Sequence, residues 1–207
     1  MRFIITISLM VAGGLLCTGC AATRPVHYYT IQPAAQPAVQ PASTPANPGT
    51  PDGLTLLVAE IATPAALQDG RIHYRIGANQ TGAYEYHRWV ERPGLMVRNS
   101  LKRALRASGK YQRVLDAGSS ATGDYLVRGT LEEFGEVDNS SIQTVISLQV
   151  ELVDTKTNRN VWDHLVEREE PVTSKTVGDV VQSLDRNLQR VVSETAAEID
   201  KFLETRR

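Results

Sequence analysis

The sequence predicts a mixed α/β fold: a mixed sheet of about five to six strands with two main helices packed on it, in a two- or three-layer sandwich. Short apolar or alternating runs of strand length recur along the chain, and two longer stretches carry apolar residues at helical spacing. Three predicted strands also follow one another with short connections before the terminal helix. We expect both helices to cover the same face of the sheet.

The strand predictions rest on two apolar patterns. Leu54–Ile61 is a continuous apolar run, which is typical of a strand buried on both faces. Arg71–Ile76 alternates between apolar and charged residues, as expected for a strand with one wet face. Further strands are predicted at Tyr111–Leu115, Tyr125–Val137, Ile142–Asp154 and Val161–Glu170. Short connections between the last three favour antiparallel pairing.

Helical spacing marks two segments. Pro93 suits the first turn of a helix and Gly109 its end, so a helix is predicted over Gly94–Ser108. A second helix, about 40 Å long at a rise of 1.5 Å per residue, is predicted over Thr176–Leu203. The order strand, helix, strand from Arg71 to Leu115 is consistent with a crossover unit, although order alone does not prove parallel pairing.

The N-terminus has the pattern of an export signal. Arg2 precedes an uncharged, mostly apolar run from Phe3 to Leu16, which is shorter than the roughly 20 apolar residues of a membrane-spanning helix. Two small residues then precede Cys20, as in a lipobox, although Cys17 stands where leucine is usual. We predict a signal peptide over residues 1–19 and lipid on Cys20. The alternative is an ordinary secretory signal that leaves a soluble protein.

Composition limits the function further. Cleavage before Cys20 leaves no second cysteine, so the mature chain can form no internal disulfide. A net charge of −1 does not favour a nucleic-acid partner, and we predict none. Residues 54–207 are numerous enough to form one domain around one core.

The segment between the lipid and this domain has two parts. Residues 20–32 form the lipidated N-terminus, with a possible first strand at Tyr28–Ile31. Residues 33–53 are rich in proline and alanine and are predicted to be a loop or linker. If Tyr28–Ile31 joins the sheet, this segment is a long surface loop, and otherwise it is a spacer.

Sequence motifs for catalysis or metal binding are missing. The patterns GxSxG, HExxH, CxxC and GxGxxG do not occur. Gly118–Gly123 has the glycine spacing of a phosphate loop, but Asp124 follows where a lysine is required. The histidines stand singly at His27, His73, His87 and His164. We therefore predict that the protein is not an enzyme and uses no metal or cofactor.

Two neighbouring stretches are candidates for an interaction surface. Every charge from Arg92 to Arg113 is positive, which suits anionic lipid or an acidic partner but is equally a feature of solvated helix faces. Aromatic and charged residues alternate just before it, as in many interfaces, although Trp89 could instead anchor the core. The candidate residues are Tyr84, Tyr86, His87, Arg88, Trp89, Arg92, Arg98, Lys102, Arg103 and Arg106.

An ordered set of short stretches resembles the ABC-type transport auxiliary lipoproteins, the family of the PqiC-type intermembrane transport lipoproteins. The stretches are Tyr28–Thr30, Arg71–Arg75, Tyr86–Trp89, Pro93–Val97, Asp124–Tyr125 with Gly129 and Phe134, Asp154 with Val161–Trp162, and the terminal helix. The resemblance spans the mature chain except Gln32–Gly53. It implies an α/β domain that assists an ATP-driven transporter with MCE-domain partners, traffic of lipids or other hydrophobic compounds between two membranes, and a possible homo-oligomeric ring.

The same resemblance bears on location. Ala21 follows the cysteine, where an aspartate would be the inner-membrane retention signal of enteric lipoproteins. This implies a lipid-anchored protein at the periplasmic face of a membrane, with the outer membrane favoured over the inner. The alternative function is a structural or envelope-assembly lipoprotein that is not tied to a transporter.

Overall fold

The computed structural model describes residues 24–32, 53–118 and 120–206. The predicted signal peptide, Cys20 and nearly all of the proline-rich segment lie outside these residues. None of the helices within the described ranges is long and apolar enough to cross a membrane.

The predicted fold class is confirmed, with more strands in the sheet than the sequence indicated. The eight strands are β1 (His27–Tyr29), β2 (Thr55–Ala62), β3 (Arg71–Ile76), β4 (Gln80–Trp89), β5 (Arg113–Asp116), β6 (Tyr125–Asp138), β7 (Ile142–Asp154) and β8 (Arg159–Pro171). The two α-helices are α1 (Pro93–Ala107) and α2 (Val177–Glu204), and a short 3-10 turn covers Ala65–Gln68.

Two strands account for the larger sheet. The sequence showed β4 only as an aromatic stretch leading into a helix, whereas the structure pairs it with β3 in an antiparallel hairpin. β1 pairs in parallel with β4, so the predicted first strand does join the sheet, as His27–Tyr29. The proline-rich segment therefore connects two strands of one sheet, β1 and β2.

β6 has three neighbours. β7 pairs with it antiparallel along its whole length, while β2 pairs in parallel with its first half and β3 with its last residues. Because a strand has only two edges, β2 and β3 share the edge that β7 leaves free. The sheet thus divides there into one branch formed by β2 and β5 and another formed by β3, β4 and β1.

The possible crossover unit from Arg71 to Leu115 is not formed in this topology. β3 and β5 lie in different branches and do not pair, and the parallel neighbour of β5 is β2. The other predicted pairings hold, since β6, β7 and β8 form an antiparallel meander. β2 carries buried residues on both faces, as its continuous apolar run predicted.

Both helices pack on one face of the sheet and contact each other, as predicted. Leu101 and Leu105 of α1 belong to the same buried core as Leu184 and Leu188 of α2 and Phe134 of β6. Before α2, the Thr176 hydroxyl accepts the backbone N–H of Asp179 at 3.2 Å, which caps the helix. The core therefore lies between the two-helix layer and the sheet.

Candidate interaction surface

The predicted interaction residues fall into two groups that the fold separates. One group lies on β4, at the outer side of the branch that ends in β1. The other lies on α1, whose cations contact β5 in the opposite branch. The structure does not bring the ten residues together into one patch.

The cations in the middle of α1 are engaged within the domain. Arg98 and Lys102 both form ion pairs with Asp116 at the end of β5, the latter at 2.7 Å. The Arg106 guanidinium donates two hydrogen bonds, of 2.7 and 3.0 Å, to the carbonyl oxygen of Val114. The hydrogen bond from Lys102 is the main cause that lowers the pKa of Asp116. These side chains fasten α1 to the outer strand of its branch.

Arg92 and Arg103 take no part in these contacts with β5. Arg92 directly precedes α1 and is exposed, and it forms no ion pair with any residue in the described ranges. Arg103 donates to the Ser100 hydroxyl at 2.9 Å. It also lines a cavity of about 220 Å³ together with Ile31 and Glu91. Of the α1 cations, Arg92 is the freest to meet a partner.

Three of the β4 residues point toward the helix layer. Trp89 is 5% exposed and meets the Phe134 ring edge-on at 5.6 Å, so it occupies the core position that the sequence left as an alternative. Tyr84 donates its hydroxyl to Glu136 Oε2 at 2.6 Å, and burial followed by this contact raises the pKa of Tyr84 well above its usual range. His87 stacks between Tyr29 and His27. These contacts hold β4 and β1 in place.

The remaining β4 residues, Tyr86 and Arg88, lie on the opposite face beside side chains that the sequence did not single out. Tyr28 is the register partner of Arg88. The backbone N–H of Val90 donates to the Tyr29 carbonyl at 2.8 Å, which continues the pairing beyond β4. Because side chains alternate along a strand, Arg88, Val90 and Tyr28 face away from Trp89 and the core.

This face carries an apolar and basic patch, which we call the β1–β4 patch. Tyr28 is 65% exposed and Val90 is 68% exposed, and the Arg24 guanidinium lies 5.7 Å from the centre of the Tyr86 ring. The patch consists of Arg24, Val26, Tyr28, Tyr86, Arg88 and Val90. Sequence reasoning missed Val90 and Arg24 because they join the same surface only through the pairing of β1 with β4.

A cavity of about 440 Å³ lies between the 3-10 turn and the sheet face that carries no helix. Two of its lining side chains form ion pairs: Arg75 with Glu133 at 2.8 Å, and His73 with the neighbouring Asp69 at 3.1 Å. Although partial burial opposes it, hydrogen bonds from Arg71 and His73 lower the pKa of Asp69 to about 2. Within the described ranges, no three His, Cys, Asp or Glu side chains are placed to hold a metal ion.

The chain belongs to the ABC-type transport auxiliary lipoprotein family, whose model matches residues 29–196. The match runs from the end of β1 into the last third of α2, and it confirms the resemblance seen in the sequence. The family description makes the chain an auxiliary lipoprotein component of an ABC transport system. No curated protein matches the sequence.

Solved structures share the fold at low sequence identity. A Xanthomonas campestris protein superposes with a TM-score of 0.73 at 20% identity, over 88% of this chain and 100% of its own. An uncharacterized protein superposes with a TM-score of 0.65 at 16% identity, over 85% and 99%. A PelC dodecamer from Paraburkholderia phytofirmans reaches only 0.46 at 18% identity, over 68% and 85%, and this likeness indicates nothing about how the present chain assembles.

Proposed function

We propose that the chain is a non-catalytic adaptor, anchored by lipid on Cys20 at the periplasmic face of the outer membrane. It assists an ABC system with an MCE-domain partner in moving lipids or other hydrophobic compounds between the two membranes. The family match over residues 29–196 carries this proposal, because it covers almost the whole folded domain.

The anchor is tested by replacing the predicted acylation site. Cys20→Ser should release the protein from membranes or leave it unprocessed, because stable attachment requires the acyl chains. Cys17→Leu is the matched control: it restores the usual residue of the motif and should keep the protein on the outer membrane. Metabolic labelling with a fatty acid reports whether each protein is acylated, and membrane fractionation reports where it is retained. Normal membrane retention of an unlabelled Cys20→Ser protein would overturn the lipid anchor.

The transport role is tested by isolating the protein with its partners. Affinity purification of the acylated protein from solubilised membranes should recover a transporter ATPase, a permease or an MCE-domain protein. Arg92→Glu should weaken that recovery if the free basic end of α1 meets the partner, whereas Arg128→Glu, on β6, serves as a charge-reversal control. Recovery of envelope-assembly proteins alone, without a transporter component, would favour the structural alternative.

We also propose that copies of the chain associate into a ring through β8. Among the described residues this strand pairs with β7 alone, so its outer edge offers backbone groups for pairing along Arg159–Pro171. Leu165 on it is 56% exposed. Leu165→Lys should dissociate the oligomer in analytical ultracentrifugation, while Ile76→Lys, at another exposed apolar residue, should not. A wild-type protein that stays monomeric at all concentrations would contradict the ring.

A further inference from the structure

The β1–β4 patch is an exposed apolar surface that an adaptor role does not require. Tyr28, Val26 and Val90 are all at least 40% exposed, and the pairing of β1 with β4 places them on one face along the edge of a branch. Contiguous exposed apolar groups usually mark a site of contact. We propose that this patch lies against the headgroups of the bilayer that holds the anchor, and that it gives the domain a fixed orientation on the membrane.

The composition of the patch suits a lipid headgroup layer. Tyrosine rings concentrate at membrane interfaces because one end is apolar and the other is polar. Neither Arg24 nor Arg88 forms an ion pair within the described part of the chain, so both guanidinium groups are available to phosphates. The patch therefore combines apolar contact with attraction to anionic lipid.

The short stretch of chain between Cys20 and the patch favours the bilayer, and not a soluble partner, as the surface that the patch contacts. Only three residues separate Cys20 from Arg24, and this stretch reaches at most about 14 Å when fully extended. The first residue of the patch is thus held near the acyl chains by the covalent chain itself. This inference rests on the proposed lipid anchor, because without acylation the distance to the bilayer is not restricted.

The patch is a secondary contact that acts with the acyl chains. Each arginine near an anionic surface strengthens attachment about fivefold, so Arg24 and Arg88 together account for about 25-fold. Such a contribution is small beside that of the acyl chains, which provide stable anchoring. The patch should therefore determine how the domain lies on the membrane and have little effect on whether the protein stays there.

The test measures the environment of the patch directly. The acylated protein carries an environment-sensitive NBD probe on Val90→Cys, because the acylated Cys20 has no free thiol to react. The matched control carries the probe on Ile76→Cys, an exposed apolar residue at the end of β3 that lies outside the patch and outside β8. Both are reconstituted into vesicles of phosphatidylethanolamine and phosphatidylglycerol. We expect a blue shift at position 90 and quenching by a headgroup spin label, with neither at position 76.

The outcomes separate this inference from the anchor. If the protein does not float with vesicles, the proposed lipid anchor is wrong, and the proposed contact between the patch and the bilayer loses its basis. If it floats but the probe at position 90 reports water, the anchor stands and the patch contact is overturned. Tyr28→Ser with Arg88→Gln should abolish the blue shift while flotation is kept. A probe already shielded in the unlipidated Cys20→Ser protein in buffer would assign the patch to contact between copies, which also overturns the proposal.

Discussion

His27 lies directly opposite His87 where β1 pairs with β4, and the two imidazole rings stack with their centroids 5.2 Å apart. The Tyr29 hydroxyl and His87 Nδ1 share a hydrogen bond of 2.9 Å. The Tyr84 ring meets His87 edge-on. β1 is only three residues long, so this cluster of rings supplies much of what holds it to the sheet.

Acid should loosen β1. Burial, and then the charge of His27, keep the pKa of His87 below its ordinary value. The resulting stabilisation is present above the unfolded histidine pKa of about 6.5 and is lost as pH falls through the lowered pKa of the folded state. Hydrogen exchange of the Val90 amide, which bonds to the Tyr29 carbonyl, should therefore show less protection at about pH 5 than at about pH 7.

The control for this prediction is His27→Gln, which removes the neighbouring charge. It should weaken the pH dependence at Val90, and amides between β6 and β7 should keep their protection in both proteins. Equal protection of Val90 at both pH values in the wild-type chain would contradict the prediction.

Tyr84→Phe should destabilise the domain by about 1–3 kcal/mol, because it leaves a buried carboxylate without its donor. Glu136 is only 7% exposed, and Tyr84 is its hydrogen-bond donor. Urea denaturation provides the measurement. Tyr86→Phe is the matched control on the open face, where we expect a change below about 0.5 kcal/mol. Equal effects of the two changes would mean that the Glu136 contact adds no stability.

Asn187→Leu should cost about 2–4 kcal/mol in the free energy of unfolding. The buried side-chain amide of Asn187 donates to the carbonyl oxygen of Thr144 at 3.1 Å and to that of Arg168 at 2.9 Å. Its loss removes both of these hydrogen bonds between α2 and the strands beneath it. Gln189→Leu, two residues along the same helix, provides a control in denaturant unfolding. If Asn187→Leu lowers the free energy of unfolding no more than Gln189→Leu does, the Asn187 amide does not have this stabilising role.

Deleting Gln36–Pro45 should change the free energy of unfolding by less than about 1 kcal/mol, because the entropy of loop closure depends only logarithmically on length. Both flanking strands lie in the sheet, and the ten residues that remain between Gln32 and Gly53 span up to about 33 Å. Chemical denaturation measures the change, and Val90 protection reports whether β1 stays paired. A loss of several kcal/mol would mean that the segment packs on the domain.

β4 shows why part of the fold was not predictable from sequence. Its alternation is broken at Gly82, where a Cβ atom would lie 2.5 Å from the Tyr74 ring on the neighbouring strand. It is broken again by a register shift opposite Arg71 and His73. Both interruptions arise from contacts with β3. The sequence pattern of β4 can therefore be interpreted only once its pairing with β3 is known. β7, by contrast, alternates regularly from Ile146 to Leu152 and was predicted with its observed bounds, Ile142–Asp154.

The interaction surface was harder to predict for a related reason. The basic stretch of α1 contains no acid within it, yet Asp116 neutralises part of its charge from the end of β5. The β1–β4 patch depends on a parallel pairing between Tyr28 and Arg88, which are far apart in the chain. Such pairings between distant segments leave no periodic signal in either segment.

The edge of β6 shared by β2 and β3 has a consequence for the order in which the protein can fold. A chain that emerges N-terminus first exposes both branches before β6 is available. Until residue 138 has emerged, β2 and β3 have no common strand to join them, and the apolar face of α1 has no completed sheet beneath it. Residues 54–116 therefore pass through a stage at which they depend on local pairing, or on a chaperone, for protection from aggregation.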